Sequence, residues 1–336
     1  MLPAQYELEL LRKTLPSYRY NQNEDFLAWQ NKARAKLKDL LGLDKMKVCE
    51  PTLHNLSQSE QDDFTEYTFS VETEPGFLVP SHLCVPHNMK EVNPLCICIQ
   101  GHTTGAHISL GRAVYPGDEE DVKGGDRDFA LQAVREGYIA LVIEVRGFGE
   151  LGGTPKGPAC HIPAMTALLL GRTMIGERVW DVSRVLDAVL GYFSFIDPSN
   201  IYCMGNSGGG TVTFYAACID ERISLAMPSC SVCTYSDSIA AMKHCVCNFI
   251  PKIAEYFDMG DLAGLIAPRK LIVVHGIDDD IFPKDGVFAA YKIIKKMYAA
   301  AGTPDNCRLV TGHAGHRFYA AASWPLVREL TCNRQI

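Results

Sequence analysis

The 336-residue sequence lacks several features that mark whole classes of proteins. No uninterrupted apolar run reaches about 18 residues, so no membrane-spanning helix is indicated. No basic run is present either, and 32 basic against 39 acidic side chains give a net charge of −7, which offers no electrostatic footprint for nucleic acid. We therefore expect neither a membrane nor a nucleic acid as a partner.

The first residues also lack the apolar stretch of a secretory signal, because Glu7, Glu9 and Arg12 interrupt it. The 13 cysteines are odd in number, so they cannot all pair within one chain. Cys96 and Cys98 lie inside an apolar run, where a thiol behaves as a small hydrophobe. Free thiols in a reducing cytoplasm are the simplest interpretation. The oligomeric state stays open, and a homo-oligomer is compatible with the sequence.

The N-terminal part differs in periodicity from the rest. Residues 1 to about 45 carry apolar side chains at three- and four-residue spacing, which predicts helices that end near Gly42. Residues 64–71 alternate polar and apolar, and a turn at 74–76 leads into 77–85, which predicts a hairpin. We therefore expect an N-terminal helical extension over about 1–60 and a hairpin after it.

From residue 95 onward, short apolar runs alternate with helical stretches. Strands buried on both faces have this pattern, so we predict an α/β fold with a mostly parallel central sheet and helices on both faces. The whole chain, 1–336, is expected to form a single domain. Residues 229–262 interrupt the alternation and predict a lid-like insertion after the strand near 223–227. The predicted strands are 95–99, 139–145, 201–205, 223–227, 271–276 and 307–312.

The strand at 201–205 runs directly into Gly205-Asn206-Ser207-Gly208-Gly209 and then into a helical stretch. This is the G-x-S-x-G nucleophile elbow in its strand–turn–helix context, with Ser207 projecting above the sheet. The alternative is a glycine-rich connector without chemistry. A phosphate-binding loop is disfavoured, because the sequence has no G-x-x-x-x-G-K-[ST] motif.

A serine nucleophile needs a general base, and the base needs a carboxylate that orients it. Three aspartates, 278–280, follow the strand at 271–276, and we prefer Asp279, which lies between Gly276 and Pro283 in a G-x-x-D-x-x-x-P layout. Two histidines follow the last strand, and we prefer His316 over His313. His275 is interpreted as a buried histidine at a strand end.

The amide of Gly208 and an amide in the loop after strand 95–99 are expected to bind the oxyanion. In that loop His102 is the first candidate and Thr103 the second. The candidate substrate-binding residues are Thr103, Glu144, His244 and Cys245. For Glu144, which lies in an apolar strand, we favour an internal ion pair with Arg146 or Arg178 over contact with a polar substrate.

The insertion contains two cysteine pairs, Cys230/Cys233 and Cys245/Cys247, and His244 lies beside the second pair. Four thiols and an imidazole offer ligands for zinc, although the C-x-C spacing of the second pair is less usual for a structural site. We favour buried or pocket-lining thiols over zinc and over a redox-active pair. The sequence thus predicts no metal and no cofactor.

These residues together resemble the α/β-hydrolase superfamily, and within it the bacterial acetyl xylan esterase-like branch, which is related to dienelactone hydrolases and cephalosporin-C deacetylases. The resemblance extends from the hairpin to the last helix. It rests on GNSGGG at 205–210, GIDDDIFP at 276–283, AGHRF at 314–318, RGFG at 146–149 and GERVWD at 176–181.

The resemblance implies that Ser207, Asp279 and His316 form a catalytic triad and that the Gly208 and His102 amides form the oxyanion hole. It also implies hydrolysis of carboxylic esters, with an acetylated carbohydrate as the favoured substrate. Gly208 and Phe148 depart from the deacetylase branch, which carries Gln at both positions. This difference weakens the expectation that acetylated xylan is the substrate.

Two alternative functions are open. One is a serine peptidase or amidase related to prolyl oligopeptidases, which usually carry a large additional domain. The other is a non-catalytic binding protein on a hydrolase scaffold, and such proteins usually lose part of the triad.

Overall fold

Nine strands hydrogen-bond into one sheet in the computed structural model, which describes residues 1–152 and 157–332, with the backbone alone for Cys332. In chain order the strands are β1 (Leu53–Glu60), β2 (Phe64–Glu74), β3 (Phe77–Pro86), β4 (Asn93–Ile99), β5 (Ile139–Ile143), β6 (Ile196–Asn206), β7 (Ile223–Ser229), β8 (Lys270–Gly276) and β9 (Cys307–Gly312).

Across the sheet the strands lie in the order β1-β2-β3-β5-β4-β6-β7-β8-β9. The pairs β1/β2, β2/β3 and β3/β5 are antiparallel. The remaining neighbours, β5/β4, β4/β6, β6/β7, β7/β8 and β8/β9, are parallel. Both the hairpin (β2 and β3) and the mostly parallel sheet are confirmed. The carboxyl ends of the parallel strands meet at one edge, where the predicted site residues follow β4, β6, β8 and β9.

Helices cover both faces of the sheet, as predicted, because its strands are apolar on both sides. Along β4, Leu95, Ile97 and Ile99 contribute to one core, and the alternating Cys96 and Cys98 contribute to the other. In the described residues the α-helices are α1 (Pro3–Lys13), α2 (Phe26–Leu41), α3 (Phe129–Arg135), α4 (His161–Leu169), α5 (Met174–Tyr192), α6 (Gly208–Ile219), α7 (Ile253–Tyr256), α8 (Met259–Leu262), α9 (Lys284–Ala300) and α10 (Ala320–Cys332). Helices α5, α6 and α9 contribute to the first core, and α3 and α10 contribute to the second.

The N-terminal extension packs on the body through α2. Trp29, Ala33, Leu37 and Leu41 recur every four residues, and all are buried in the first core. The helix begins at the Asp25 cap and ends at Gly42, which adopts a left-handed φ of 72° that favours glycine.

The predicted extent of the helical extension, about 1–60, is too long. Residues 53–60 form β1, an edge strand that pairs with β2. The sequence there (LHNLSQSE) has no alternating apolar pattern because most of its side chains are exposed. Pairing of the backbone with β2, rather than burial of side chains, defines this strand.

The insertion at 229–262 is part of the core. It contributes to the first core through a set of buried side chains that includes Val232, Tyr235, Ile250, Phe257 and Leu262. Phe257 packs edge-on against Tyr18 of the N-terminal extension, with ring centroids 5.5 Å apart. Whether the segment acts as a lid stays a prediction.

The thiols are mostly packing groups in this fold. The 12 cysteines whose side chains are described are free, and ten of them are buried. Among the described residues, no helix is both long and apolar enough to cross a bilayer.

Candidate active site

Ser207 occupies a sharp turn between β6 and α6. Its backbone has φ 57° and ψ −124°, a strained conformation for a residue other than glycine. The Ser207 amide donates to the Ser229 carbonyl at 2.9 Å, and the Thr211 amide donates to the Ser207 carbonyl at 2.9 Å. These bonds hold the turn, so Ser207 lies at the sharp strand–turn–helix junction that the G-x-S-x-G pattern predicts.

The flanking glycines are required by close backbone contacts. A Cβ atom at Gly205 would lie 2.5 Å from the Ile99 carbonyl oxygen, and one at Gly209 would lie 2.2 Å from the same atom. Both distances are shorter than real Cβ contacts. The G-x-S-x-G pattern therefore allows the first turn of α6 to pack directly on the end of β4.

Asp279 and His316 form a hydrogen-bonded pair beside this turn. The Nδ1 atom of His316 lies 2.9 Å from Oδ2 of Asp279. The other carboxylate oxygen of Asp279 accepts bonds from the amides of Ile281 and Phe282 at 2.9 and 3.1 Å. Burial alone would raise the pKa of Asp279, but the bonds to His316 and Phe282 outweigh it and hold the pKa below its ordinary value.

Burial distinguishes Asp279 and His316 from the neighbouring aspartates and histidine. Asp279 is only 3% exposed, whereas Asp278 and Asp280 are exposed. His316 is half-buried and His313 is exposed.

Ser229 connects the serine turn to the histidine loop. Its carbonyl accepts the Ser207 amide at 2.9 Å. Its hydroxyl donates to Oδ1 of Asn206, the residue before Ser207, at 2.8 Å, and lies 3.4 Å from the carbonyl of Arg317, the residue after His316. The Ser207 turn and the His316 loop therefore both lie against the end of β7.

The loop after β4 lies against the elbow. A Cβ atom at Gly101 would come within 2.9 Å of Ser207 Cβ and 3.4 Å of the Gly208 nitrogen. The Thr103 amide donates to the Gly101 carbonyl at 2.8 Å and is thus engaged within the loop. This favours His102 over Thr103 as the second oxyanion donor. The Thr103 hydroxyl is buried without a hydrogen-bond partner among the described residues.

The predicted ion pair of Glu144 is wrong. Arg146 binds Glu74, Glu177 and Asp181 instead. Glu144 is 2% exposed, and its Oε2 accepts the amides of Ala106 and Glu150 at 3.0 and 3.3 Å.

Glu144 thus connects the loop after β4 to the loop after β5. Burial raises its pKa to about 7, and the backbone amides that bind it act in the opposite direction. We assign it a positioning role. Sequence reasoning missed this role because backbone amides are present everywhere and mark no particular partner.

His244, from the insertion, lies near the candidate base. Its ring centroid is 5.5 Å from that of Phe282, which stacks on His316 at 6.0 Å. Its Nδ1 lies 2.9 Å from Asn248 Nδ2, so the amide donates and Nε2 carries the proton. Burial, together with the charges of His102 and His316, lowers the His244 pKa to about 4. The Nε2 atom is buried without a partner among the described residues.

Two residues near the site were not predicted: Phe282, which stacks on His316, and Asn248, which binds His244. Phe282 lies within the 276–283 motif, three residues after Asp279, so its position in the sequence could have predicted that it lies near this residue. Cys230, one of the thiols expected to be buried or to line the pocket, has its sulfur within 4.8 Å of a carboxylate oxygen of Asp279 and a ring nitrogen of His316. His275 is buried as expected, with Nε2 3.0 Å from the Thr311 hydroxyl.

Comparison with known proteins identifies the family of the chain and supports its fold. A curated relative named "Putative hydrolase YtaP", from Bacillus subtilis, is 28% identical over 286 residues, which cover 83% of this chain and 91% of the relative. A 4-O-methyl-glucuronoyl methylesterase from Podospora anserina is 29% identical over 154 residues, or 38% of this chain and 32% of that protein.

Among solved structures, a "putative acetyl xylan esterase" from Bacteroides fragilis superposes with a TM-score of 0.81 at 17% identity, covering 98% of this chain and 95% of that one. The likeness confirms the fold predicted from the sequence. The profile of the Abhydrolase family matches residues 7–206, which is more than half of the chain, and the protein therefore belongs to that family within the α/β-hydrolase superfamily.

Proposed function

We propose that the protein is a serine esterase that cleaves small acyl groups, acetyl above all, from a carbohydrate or glycoside. The observation that carries the proposal is the 2.9 Å bond between His316 Nδ1 and Asp279 Oδ2, formed in loops that border the strained turn at Ser207. A serine nucleophile needs a base that a buried carboxylate orients.

The proton path follows from this bond. Because Nδ1 of His316 donates to Asp279, Nε2 is the nitrogen available to accept the Ser207 proton. As Ser207 attacks the ester carbonyl, Asp279 stabilises the imidazolium that forms. His316 then returns the proton to the leaving alcohol, and water releases the acyl group from Ser207 by the same route.

The oxyanion is assigned to the amides of Gly208 and His102. Helix α6 begins at Gly208, so its unpaired N-terminal amides and its dipole both favour a developing negative charge. Removing one such donor typically costs about 10²–10³ in turnover.

Polar atoms of three residues near the site suit a hydroxylated substrate. Thr103 Oγ1, His244 Nε2 and Asn248 Oδ1 are buried without a partner among the described residues. Such groups are costly in a dry site and are usually matched by a ligand or by water. Sugar hydroxyl groups both donate and accept hydrogen bonds, so they satisfy this mixed set. The Podospora relative and the Bacteroides protein are both named for carbohydrate esters, which supports the same substrate class.

An ester panel tests this proposal. We expect acetyl esters of sugars and p-nitrophenyl acetate to be cleaved, with kcat/KM at least about tenfold above that for p-nitrophenyl octanoate, because pockets discriminate by acyl length. The panel includes the methyl ester of 4-O-methylglucuronate, in which the sugar is on the acid side of the ester. A preference for octanoate would contradict the carbohydrate proposal.

The same panel addresses the peptidase alternative. Aminoacyl-proline amides are expected to give no measurable turnover under conditions in which acetyl esters are cleaved. Efficient cleavage of such amides would favour the peptidase instead.

Asp279→Asn is expected to lower kcat on p-nitrophenyl acetate by about 10⁴, because the amide no longer fixes the histidine tautomer or offsets its charge. Asp280→Asn is the matched control, since Asp280 is exposed in the same loop. Its kcat should stay within about twofold of wild type, as surface changes usually do little. An equal loss in both variants would show that Asp279 has no special role.

A further inference from the structure

Four soft metal-ligand groups converge beside the elbow. His102, Cys160, Cys245 and Cys247 each offer one ligand atom, and these atoms all lie within 4.8 Å of one another. The Nε2 atom of His102 is 3.2 Å from the Cys247 sulfur. We call these four residues the sulfur cluster. Cys160 and Cys247 are buried, and His102 and Cys245 are half-buried.

The cluster is assembled from three separate segments. His102 lies in the loop after β4, Cys160 precedes α4, and Cys245 and Cys247 come from the insertion. It is not the ligand set suggested by the cysteine spacing. The Cys230 thiol donates to the Arg317 carbonyl at 3.2 Å, and the Cys233 thiol donates to the Pro283 carbonyl at 3.8 Å.

The surroundings of Arg178 indicate negative charge in the cluster. This guanidinium is 1% exposed, and its partners among the described residues include no carboxylate. It donates to the Arg146 carbonyl at 2.7 and 2.9 Å, and to the sulfurs of Cys247 and Cys160 at 3.3 Å each. The face of the Phe148 ring lies 4.3 Å from the guanidinium carbon and contributes a cation–π contact. A buried cation without a counter-charge is destabilising, and among these partners the two sulfurs are the groups that can carry an anion.

We propose that His102, Cys160, Cys245 and Cys247 bind one Zn²⁺ ion. Three thiolates and one imidazole form a common tetrahedral zinc set, and a site closed by four protein ligands is structural. On binding, each ligand cysteine that is still protonated releases its proton to solvent, so that all three sulfurs bind as thiolates. The resulting site has a net charge of −1, which Arg178 balances.

The positions of the four ligand atoms allow them to surround one zinc ion. With Zn–S bonds of about 2.3 Å, sulfur atoms in a tetrahedral site lie about 3.8 Å apart. Ligand atoms that already lie within 4.8 Å of one another need side-chain shifts of about 1 Å at most. The guanidinium of Arg178 then donates hydrogen bonds to the metal-bound sulfurs, and hydrogen bonds of this kind orient the ligands in known metal sites.

The site would fix the His102 ring. A Cβ atom at Gly208 would lie 2.8 Å from His102 Nδ1, so the ring lies directly against the elbow. A metal on Nε2 would therefore hold the loop after β4 in place.

Zinc content of the purified full chain tests the proposal without reference to any activity. Protein produced with added zinc is expected to contain about one zinc per chain. Cys245→Ala and Cys247→Ala should each lower that content at least about tenfold. Cys233→Ala is the matched control, because Cys233 is a buried thiol of the same insertion outside the cluster, and it should keep its zinc.

A titration of the reduced, metal-free wild type with Co²⁺ covers the case in which a variant fails to fold. We expect saturation at one ion per chain, with sulfur-to-cobalt charge-transfer absorption and the intense ligand-field bands of a tetrahedral site. A wild type that takes up neither zinc nor cobalt would overturn the proposal. So would a disulfide among Cys160, Cys245 and Cys247, or loss of zinc from Cys233→Ala.

Discussion

Ser207→Ala is expected to lower kcat on p-nitrophenyl acetate by about 10⁴- to 10⁶-fold, because no other group replaces the attacking oxygen. The variant should stay folded. The bonds that hold the turn run from the Ser207 amide to Ser229 and from the Thr211 amide to the Ser207 carbonyl, and neither uses the side chain. Alanine has a Cβ like serine, so the strain at φ 57° is unchanged.

Ser224→Ala is the matched control for this variant. Ser224 is half-buried on β7 and donates to the Ile201 carbonyl at 3.0 Å, on the sheet next to the elbow strand. Its loss should leave kcat within about twofold of wild type. Labelling by a fluorophosphonate probe gives a second measurement: wild type and Ser224→Ala should be labelled, and Ser207→Ala should not. Wild-type turnover in Ser207→Ala would leave a non-catalytic scaffold as the better hypothesis.

The candidate triad could be proposed from the sequence because each residue follows a parallel strand: β6 and β8 are largely buried, and β9 is a partly exposed edge strand. The carboxyl ends of β6, β8 and β9 lie at one edge, so the loops that carry Ser207, Asp279 and His316 begin at that edge although the residues are far apart in sequence. The choice of Asp279 among three aspartates rested on spacing. Its physical basis is that Asp279 is the buried member, whose second oxygen accepts two backbone amides.

The remaining features could not be predicted, because they depend on contacts that leave no local pattern. The edge strand β1 buries too little surface to impose alternation on its sequence. Glu144 is satisfied by backbone amides of two loops, and such donors occur in every sequence. The sulfur cluster combines three segments, and the C-x-x-C spacing of Cys230 and Cys233 pointed to a different set of thiols.

His316→Ala is expected to lower kcat on p-nitrophenyl acetate by about as much as Ser207→Ala, because the serine loses its only base. His313→Ala is the matched control, since His313 is exposed and lies three residues earlier in the same loop. It should retain kcat within about twofold. Equal losses in the two histidine variants would indicate that the loop is disturbed as a whole and that His316 is not the base.

The double variant Ser207→Ala/His316→Ala distinguishes a shared step from two separate contributions. If His316 acts only by accepting the Ser207 proton, removing His316 causes no further loss of kcat in a protein that already lacks the Ser207 hydroxyl. The residual rate of the double variant should then equal that of Ser207→Ala within about threefold, because residues that work as one unit are strongly non-additive. Losses that multiply instead would mean that His316 acts independently of Ser207. The proposed triad would then have to be abandoned, even if each single variant were inactive.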